Sequence, residues 1–148
     1  MEPATRMQRL FAIVIDSSSI SLAFALASYV EIPDSVRLIG LVAGAGIFAA
    51  NLYFLAKDGQ TLGKKAVGIR IVLLETQQNG GFVTNVLKRG FLAGLPYFVF
   101  ILFFPILGAL YLWADALFIF RENRRCLHDL IAGTLVVQYE GEESLRRQ

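Results

Sequence analysis

Two apolar blocks of membrane-spanning length constrain this chain most. Residues 10–30 and 36–56 are each long enough to cross a bilayer core as a helix of about 20 residues. Of the 148 residues, 55% are hydrophobic and only 18% are charged. A soluble domain of this size is less apolar, and its apolar residues are scattered rather than collected in blocks. The sequence therefore predicts an all-α polytopic membrane protein.

A third apolar block covers residues 90–120 and contains Pro96 and Pro105. One straight helix of this length would reach roughly 45 Å, whereas a bilayer core is only about 30 Å thick. We predict two short segments, residues 90–104 and 106–120, that turn near Phe104 and Pro105. They would form a re-entrant hairpin or thin the membrane locally. The alternative is one tilted, kinked span, so the expectation is three to four membrane helices.

The polar segments are expected on the cytoplasmic side. The amino terminus, the section 57–89 and the tail 121–148 carry most of the basic residues, and such loops stay in the cytoplasm. Residues 67–74 and 134–139 are strand candidates that can pair only if they lie on the same side of the membrane. We therefore predict a single domain over residues 1–148 with a small cytoplasmic β element. It would be a multi-pass protein of the cell (inner) membrane with both termini cytoplasmic.

Three polar residues interrupt the predicted spans at similar depths. Asp16 lies seven residues inside Arg9, roughly 10 Å along the helix, and Asn51 and Asp115 lie about equally far from the cytoplasmic ends of their own segments. A buried acid in a span costs at least roughly 2.5 kcal/mol unless it finds a partner. Asp16, Asp115, Asn51 and Ser19 are therefore candidates for an ion or proton site. The alternative is that these side chains only link helices together.

Three ordered motifs resemble those of the RDD family of small membrane proteins, which is named for one arginine and two aspartates. The motifs are Arg9 followed by Asp16, the glycine-rich and lysine-rich segment 59–72, and the segment 127–137. Arg9 and Asp16 match the first two signature positions. Asp129 is our choice for the third, with Asp115 as the competing position.

The resemblance implies an integral membrane protein of about three spans, for which solute or cation transport has been suggested. It also implies that Arg9 and Asp129 are partners that join the first span to the tail. Beside Asp129, His128 is a candidate pH-sensing residue, because imidazole changes its charge near neutral pH. The alternative is a structural role, in which Asp129 caps a short helix that ends at Gly133.

Other functional classes find little support in the sequence. A net charge of +2 with no basic patch argues against nucleic-acid binding. The single cysteine and single histidine give no disulfide, no usual zinc site and no catalytic triad, so we expect no enzyme and no cofactor, and leave other metals open. Residues 59–65 resemble a phosphate loop only superficially. Lys64 and Lys65 are expected near lipid headgroups, where they attract anionic lipid or set the topology.

The leading hypothesis is membrane transport of a small ion or solute, in the form of proton-coupled exchange of a monovalent cation at the buried carboxylates. The alternative is a scaffold or accessory factor whose polar residues only pack helices. In either case the expected partners are the lipid bilayer and further copies of the chain in a homo-oligomer, since so few spans rarely enclose a pathway. We expect the first span to be retained rather than cleaved as a signal peptide, because Asp16 and several serines interrupt it.

Overall fold

The computed structural model describes residues 1–28, 33–121 and 124–139, and the chain is mostly helical there. The end of the first predicted span and the tail from residue 140 lie outside these residues. Within these described ranges, six α-helices, one π-helical segment, one 3₁₀ turn and two strands follow one another. In order they are α1 (Arg6–Ser28), α2 (Asp34–Asp58), α3 (Leu62–Ala66), β1 (Ile69–Leu73), the π-helical segment (Val83–Leu92), α4 (Ala93–Phe103), α5 (Pro105–Leu117), the 3₁₀ turn (Phe118–Phe120), α6 (Leu127–Ala132) and β2 (Thr134–Gln138).

Helices α1 and α2 pack against each other through small residues. A Cβ atom added to Gly40 would lie 3.0 Å from the Ala23 carbonyl oxygen, so the two backbones approach closely at this point. The outer faces carry exposed large apolar side chains such as Leu22 and Phe24. Both helices are long and apolar enough to cross a membrane by length and composition, as predicted.

The third apolar block folds back on itself as two short helices. Helix α4 ends at Phe103 and α5 begins at Pro105, so the break lies where the sequence predicts it. The Tyr111 hydroxyl donates to the Ala93 carbonyl oxygen at 2.6 Å and joins the two helices. Taken alone, their 11 and 13 residues rise roughly 16 and 20 Å, although α4 continues without a break from the π-helical segment Val83–Leu92. The number of membrane crossings stays a prediction.

The two predicted strands pair as an antiparallel two-stranded sheet, which confirms the small β element. The register places Ile71 opposite Val136, and both side chains are buried together with Ala4 and Ala12. Strand β1 follows α2 closely and β2 follows the α4–α5 hairpin. Because the strands are hydrogen-bonded, the chain between them leaves the sheet and returns to it.

A π-helical segment leads into α4 and was not predicted from the sequence. It begins at Val83, inside the section 57–89 that the sequence indicates to be polar, and ahead of the predicted segment 90–104. The Asn85 side chain is buried and donates to the Leu55 carbonyl oxygen at 3.0 Å and to Asn79 Oδ1 at 2.6 Å. These bonds fix the segment against the end of α2. Such wide turns occur frequently at functional sites.

Candidate functional site

The turn at residues 61–63 is held by two of the predicted polar residues. The Asp16 carboxylate accepts hydrogen bonds from the Thr61 hydroxyl at 2.5 Å and from the Gly63 N–H at 2.8 Å. Asn51 Oδ1 accepts from the Leu62 N–H at 2.8 Å. Asp16 and Asn51, whose similar depth the sequence suggested, therefore converge on one short turn. Ser19 donates to the Asp16 backbone carbonyl oxygen at 2.9 Å and forms no bond to its carboxylate.

Gly63 is the point of closest approach between this turn and α1. A Cβ atom at this position would lie 2.2 Å from the Ala12 carbonyl oxygen and 2.9 Å from Asp16 Cγ. Only a residue without a side chain fits here, because the first of these neighbours is backbone. The turn is thus fixed both by hydrogen bonds and by shape.

A fully buried carboxylate lies at the centre of a second cluster. Asp129 accepts from Arg9 Nη1 at 3.1 Å and from Arg89 Nε at 2.8 Å. The Thr134 hydroxyl at 3.2 Å and the Cys126 N–H at 3.3 Å complete its partners. Four structural elements are therefore joined through one side chain, and the Arg9–Asp129 pair implied by the family resemblance is present.

The Asp129 carboxylate is held in its ionised form. Burial alone would raise the pKa of this group, but the Arg89 guanidinium, His128 and Arg9 together hold the pKa well below its ordinary value. If either side of such a buried ion pair lost its charge, the other side would be left as an uncompensated buried charge. Asp129 therefore serves as the fixed counter-ion of two arginines.

His128 links this cluster to Asp115. Its Nδ1 lies 2.7 Å from Asp115 Oδ2, and its backbone N–H donates to Asp115 Oδ1 at 3.0 Å. Its Nε2 lies 2.9 Å from Arg89 Nη2. Because a guanidinium can only donate, these partners assign Nε2 as the acceptor and place the ring proton on Nδ1, facing Asp115. A second proton on Nε2 would point at the arginine.

Arg89 and His128 stand between two cavities and line both of them. The first cavity, of about 280 Å³, lies beside the α4–α5 hairpin and is lined also by Asn85, Tyr97, Tyr111 and Asp115. The second, of about 210 Å³, lies beside α1 and the sheet. Its other polar lining residues are Arg9, Lys64 and Cys126. The Arg89–His128 contact is thus a partition between the two spaces.

Lys64 occupies an unusual position for a lysine. Its Nζ donates to the Thr61 hydroxyl at 3.3 Å. Burial, followed by repulsion from Arg89, lowers the pKa of Lys64 to about 8. Lys65, its neighbour, instead forms an ion pair with Asp58 at 2.6 Å near the surface. The two lysines of the motif therefore have different environments.

One group of side chains has the spacing of a metal site. Donor atoms of Asp115, Cys126 and His128 all lie within 4.8 Å of one another. Burial, and then the Asp129 charge, raise the pKa of the Cys126 thiol to about 11, so the thiol is protonated at neutral pH while no metal is bound. Because the Arg89 guanidinium also opposes a cation here, we assign no metal to this group.

Comparison with known proteins agrees with these motifs. The RDD family profile matches residues 3–133, which is most of the chain. The chain belongs to the RDD family. This is a family of membrane proteins, which agrees with the two helices that are long and apolar enough to cross a membrane.

The chain is also similar to a curated protein from Haemophilus influenzae (strain ATCC 51907 / DSM 11121 / KW20 / Rd). The two are 29% identical over 141 residues, covering 93% of this chain and 79% of that protein, which is named only as an uncharacterized protein. No solved structure matches the chain. The RDD match includes both Asp115 and Asp129, and the pairing with Arg9 favours Asp129 as the third signature residue.

The sequence reasoning missed three residues of the site. Arg89 had been counted only as a topology-setting charge, although it contacts both Asp129 and His128. Thr61 and Gly63 were noted as part of a motif but not as partners of Asp16. Asp115 was grouped with Asp16, whereas the structure gives its carboxylate a different partner, His128. The position of Arg89 at the start of an apolar block was the available signal.

Proposed function

We propose that this RDD-family protein carries a small ion or polar solute across the membrane in exchange for protons. The observation that carries the proposal is the Arg89–His128 contact, because both residues line two cavities, one beside the α4–α5 hairpin and one beside α1 and the sheet. A transport pathway needs a polar constriction that can open, and charged residues inside membrane proteins commonly mark such pathways. This contact is short and depends on the protonation state of one partner.

The exchangeable proton is assigned to the His128–Asp115 pair. A proton taken up at His128 Nε2 would face Arg89 and also add a positive charge to a region that already contains Lys64. The contact with Arg89 would then be lost, while Asp115 and Asp129 would stabilise the imidazolium. The partition would open when His128 is protonated and close when the proton leaves. Asp115 thus keeps the role in ion exchange that the sequence suggested.

Asp16, Asn51 and Ser19 receive a positioning role in this proposal. The carboxylate and the amide oxygen already accept hydrogen bonds from the turn at residues 61–63. That turn precedes Lys64, which lines the second cavity. The three residues would hold the cytoplasmic mouth in place rather than bind the transported ion.

The proposed topology follows from the same arrangement. Helices α1 and α2 would each cross the membrane, and the short α4–α5 hairpin would enter it and return to the side of the sheet. The amino-terminal segment, the sheet and the tail would lie in the cytoplasm, in agreement with the basic residues. Because two full spans rarely enclose a pathway, the transporting form would be a homo-oligomer.

The test compares two acid-to-amide changes in proteoliposomes with a pH-sensitive dye inside. Wild type is expected to couple a gradient of an alkali cation or a small anion to an internal pH change. Asp115→Asn is expected to abolish this coupling, and Asp16→Asn, which keeps hydrogen-bonding groups for the turn, is expected to retain most of it. Equal loss in both variants would contradict the assignment of the proton site.

A scaffold function is the second candidate. It is favoured by the fact that Asp16, Asp115 and Asp129 each have protein partners in the described residues. A scaffold would show no ion-coupled pH change in wild type above protein-free liposomes, whichever gradient is applied. The same assay therefore separates the two classes.

A further inference from the structure

The cavity beside α1 and the sheet has an excess of positive charge. Arg9, Lys64 and Arg89 line it from three different elements, and His128 adds a polar wall. The counter-ion of both arginines is Asp129, which they share. Lys64 forms no ion pair with this carboxylate, so the three cations that line the cavity have one bonded counter-ion among the described residues. The cavity is therefore suited to one more negative charge.

Two donors at this cavity lack a full set of acceptors. Arg9 is 6% exposed, and its buried Nε–H has no hydrogen-bond partner among the described residues. Lys64 Nζ has one neutral partner in the same part of the chain, the Thr61 hydroxyl. A buried guanidinium N–H without an acceptor is costly, so such groups in native proteins call for an explanation. A bound anion would supply the missing acceptors.

The rest of the wall indicates where the anion would come from. Ile13 and Ile119 also line the cavity, and Ile13 lies on the exposed apolar face of α1. Since α1 is one of the two helices that could span a membrane, this side of the cavity would border lipid. The sheet also contributes to the lining through Val136, so a lipid phosphate and a soluble anion are both candidate ligands.

We propose that this cavity binds a phosphate group with net negative charge, either as a free oxyanion or as the phosphomonoester of a lipid headgroup that carries no cationic group. Arg9 Nε and Lys64 Nζ would donate to the phosphate oxygens, and Arg89 would contribute charge while remaining bonded to Asp129. Arginine and lysine together are the usual donors to phosphate oxygens. The proposal is independent of transport, because binding needs no gradient and no movement of the partition.

Lys64 is the residue through which the site is best tested. It forms no ion pair with Asp129 or with another carboxylate in the described residues. Lys64→Gln therefore leaves the ion pairs of Asp129 with Arg9 and Arg89 unchanged. Its pKa of about 8, set by burial and then by Arg89, leaves the ammonium mostly charged at pH 7. The adjacent Lys65→Gln removes the same charge from a surface ion pair and is a matched control.

Binding is measured by calorimetry on the full chain in detergent at pH 7, with three separate probes. These are inorganic phosphate, a short-chain phosphatidic acid and a short-chain phosphatidylcholine of the same acyl length. Saturable binding of phosphate or phosphatidic acid is expected in wild type and in Lys65→Gln. Lys64→Gln is expected to weaken it about tenfold or more, the usual effect of losing one charged hydrogen bond.

Each outcome decides the proposal. Binding of inorganic phosphate that depends on Lys64 supports a free oxyanion as the ligand, and binding of phosphatidic acid alone supports a lipid headgroup. Absence of binding by both probes would overturn the proposal. Equal effects of the Lys64 and Lys65 changes, or equal affinity for phosphatidylcholine, would also overturn it. A protein that binds phosphate yet transports nothing would refute only the proposed function.

Discussion

Asp129→Asn is expected to lower the free energy of unfolding by about 3–5 kcal/mol, the usual effect of breaking a buried ion pair from one side. The reason is that Arg9 and Arg89 would stay buried without their shared counter-ion. An asparagine of the same shape keeps one acceptor oxygen, but its NH₂ group would face donors, so the loss reports the charge together with the hydrogen bonds on one side. Thermal or denaturant unfolding of the detergent-solubilised protein measures the effect.

The matched control is Asp58→Asn, which removes a carboxylate from the pair with Lys65. That pair is shorter, at 2.6 Å, but its side chains are 34% and 31% exposed, so we expect a change of only about 0–1 kcal/mol. Comparable destabilisation by the two variants would contradict the central position of Asp129.

The difference in stability between wild type and Asp129→Asn is expected to depend on pH in a definite direction. Because Arg89, His128 and Arg9 hold the pKa of Asp129 below its ordinary value despite burial, its charge contributes stability that is complete above about pH 4. The contribution is lost as the pH falls further, towards the folded-state pKa. The difference in Tm between wild type and Asp129→Asn should therefore be present at neutral pH and shrink only as the pH falls below about 4.

Gly63→Ala is expected to displace the turn at residues 61–63 from α1 and to destabilise the protein by about 1–3 kcal/mol, as overpacking does. The new Cβ atom would lie 2.2 Å from the Ala12 carbonyl oxygen, a contact that only backbone movement can relieve. Its hydrogen bond to Asp16 would be disturbed at the same time. Unfolding of the purified variant gives the magnitude.

Gly46→Ala is the control for this change. A Cβ atom at Gly46 meets no atom within 4 Å, so the alanine should be neutral or should stabilise α2 by up to about 1 kcal/mol through helix propensity. If Gly63→Ala were as well tolerated as Gly46→Ala, the close docking of the turn on α1 would be wrong.

The elements that carry a strong local signal were predictable from the sequence. Helices α1 and α2 follow from long, mostly apolar runs, and the break between α4 and α5 follows from Pro105. Strands β1 and β2 are rich in β-branched residues, and their pairing follows once both lie on one side of the membrane. The similar depths of Asp16 and Asn51 in their predicted spans also indicated that the two side chains lie close together. The sequence did not indicate the turn at residues 61–63 that they hold.

The features that the sequence did not predict depend on contacts between distant residues, and such contacts leave no local sequence signal. A π-helix has i→i+5 hydrogen bonds and therefore more residues per turn than an α-helix. The ten residues Val83–Leu92 are too few for their hydrophobic periodicity to distinguish the two kinds of helix. The role of Arg89 could not be predicted, because a basic residue just before an apolar block has the same sequence pattern in two cases. It can set the topology at the membrane surface, or it can enter a buried cluster. The Asp115–His128 contact joins α5 to α6, and only the fold brings them together.

The most direct test of the account is the ion-driven pH change in proteoliposomes that contain His128→Gln. Glutamine retains hydrogen-bonding groups towards Arg89 and Asp115 but cannot take up a proton, so the variant should fold and insert. We predict that its coupled pH change falls to the level of protein-free liposomes, while Asp58→Asn at matched reconstitution behaves as wild type. Wild-type coupling by His128→Gln would contradict the proposed partition.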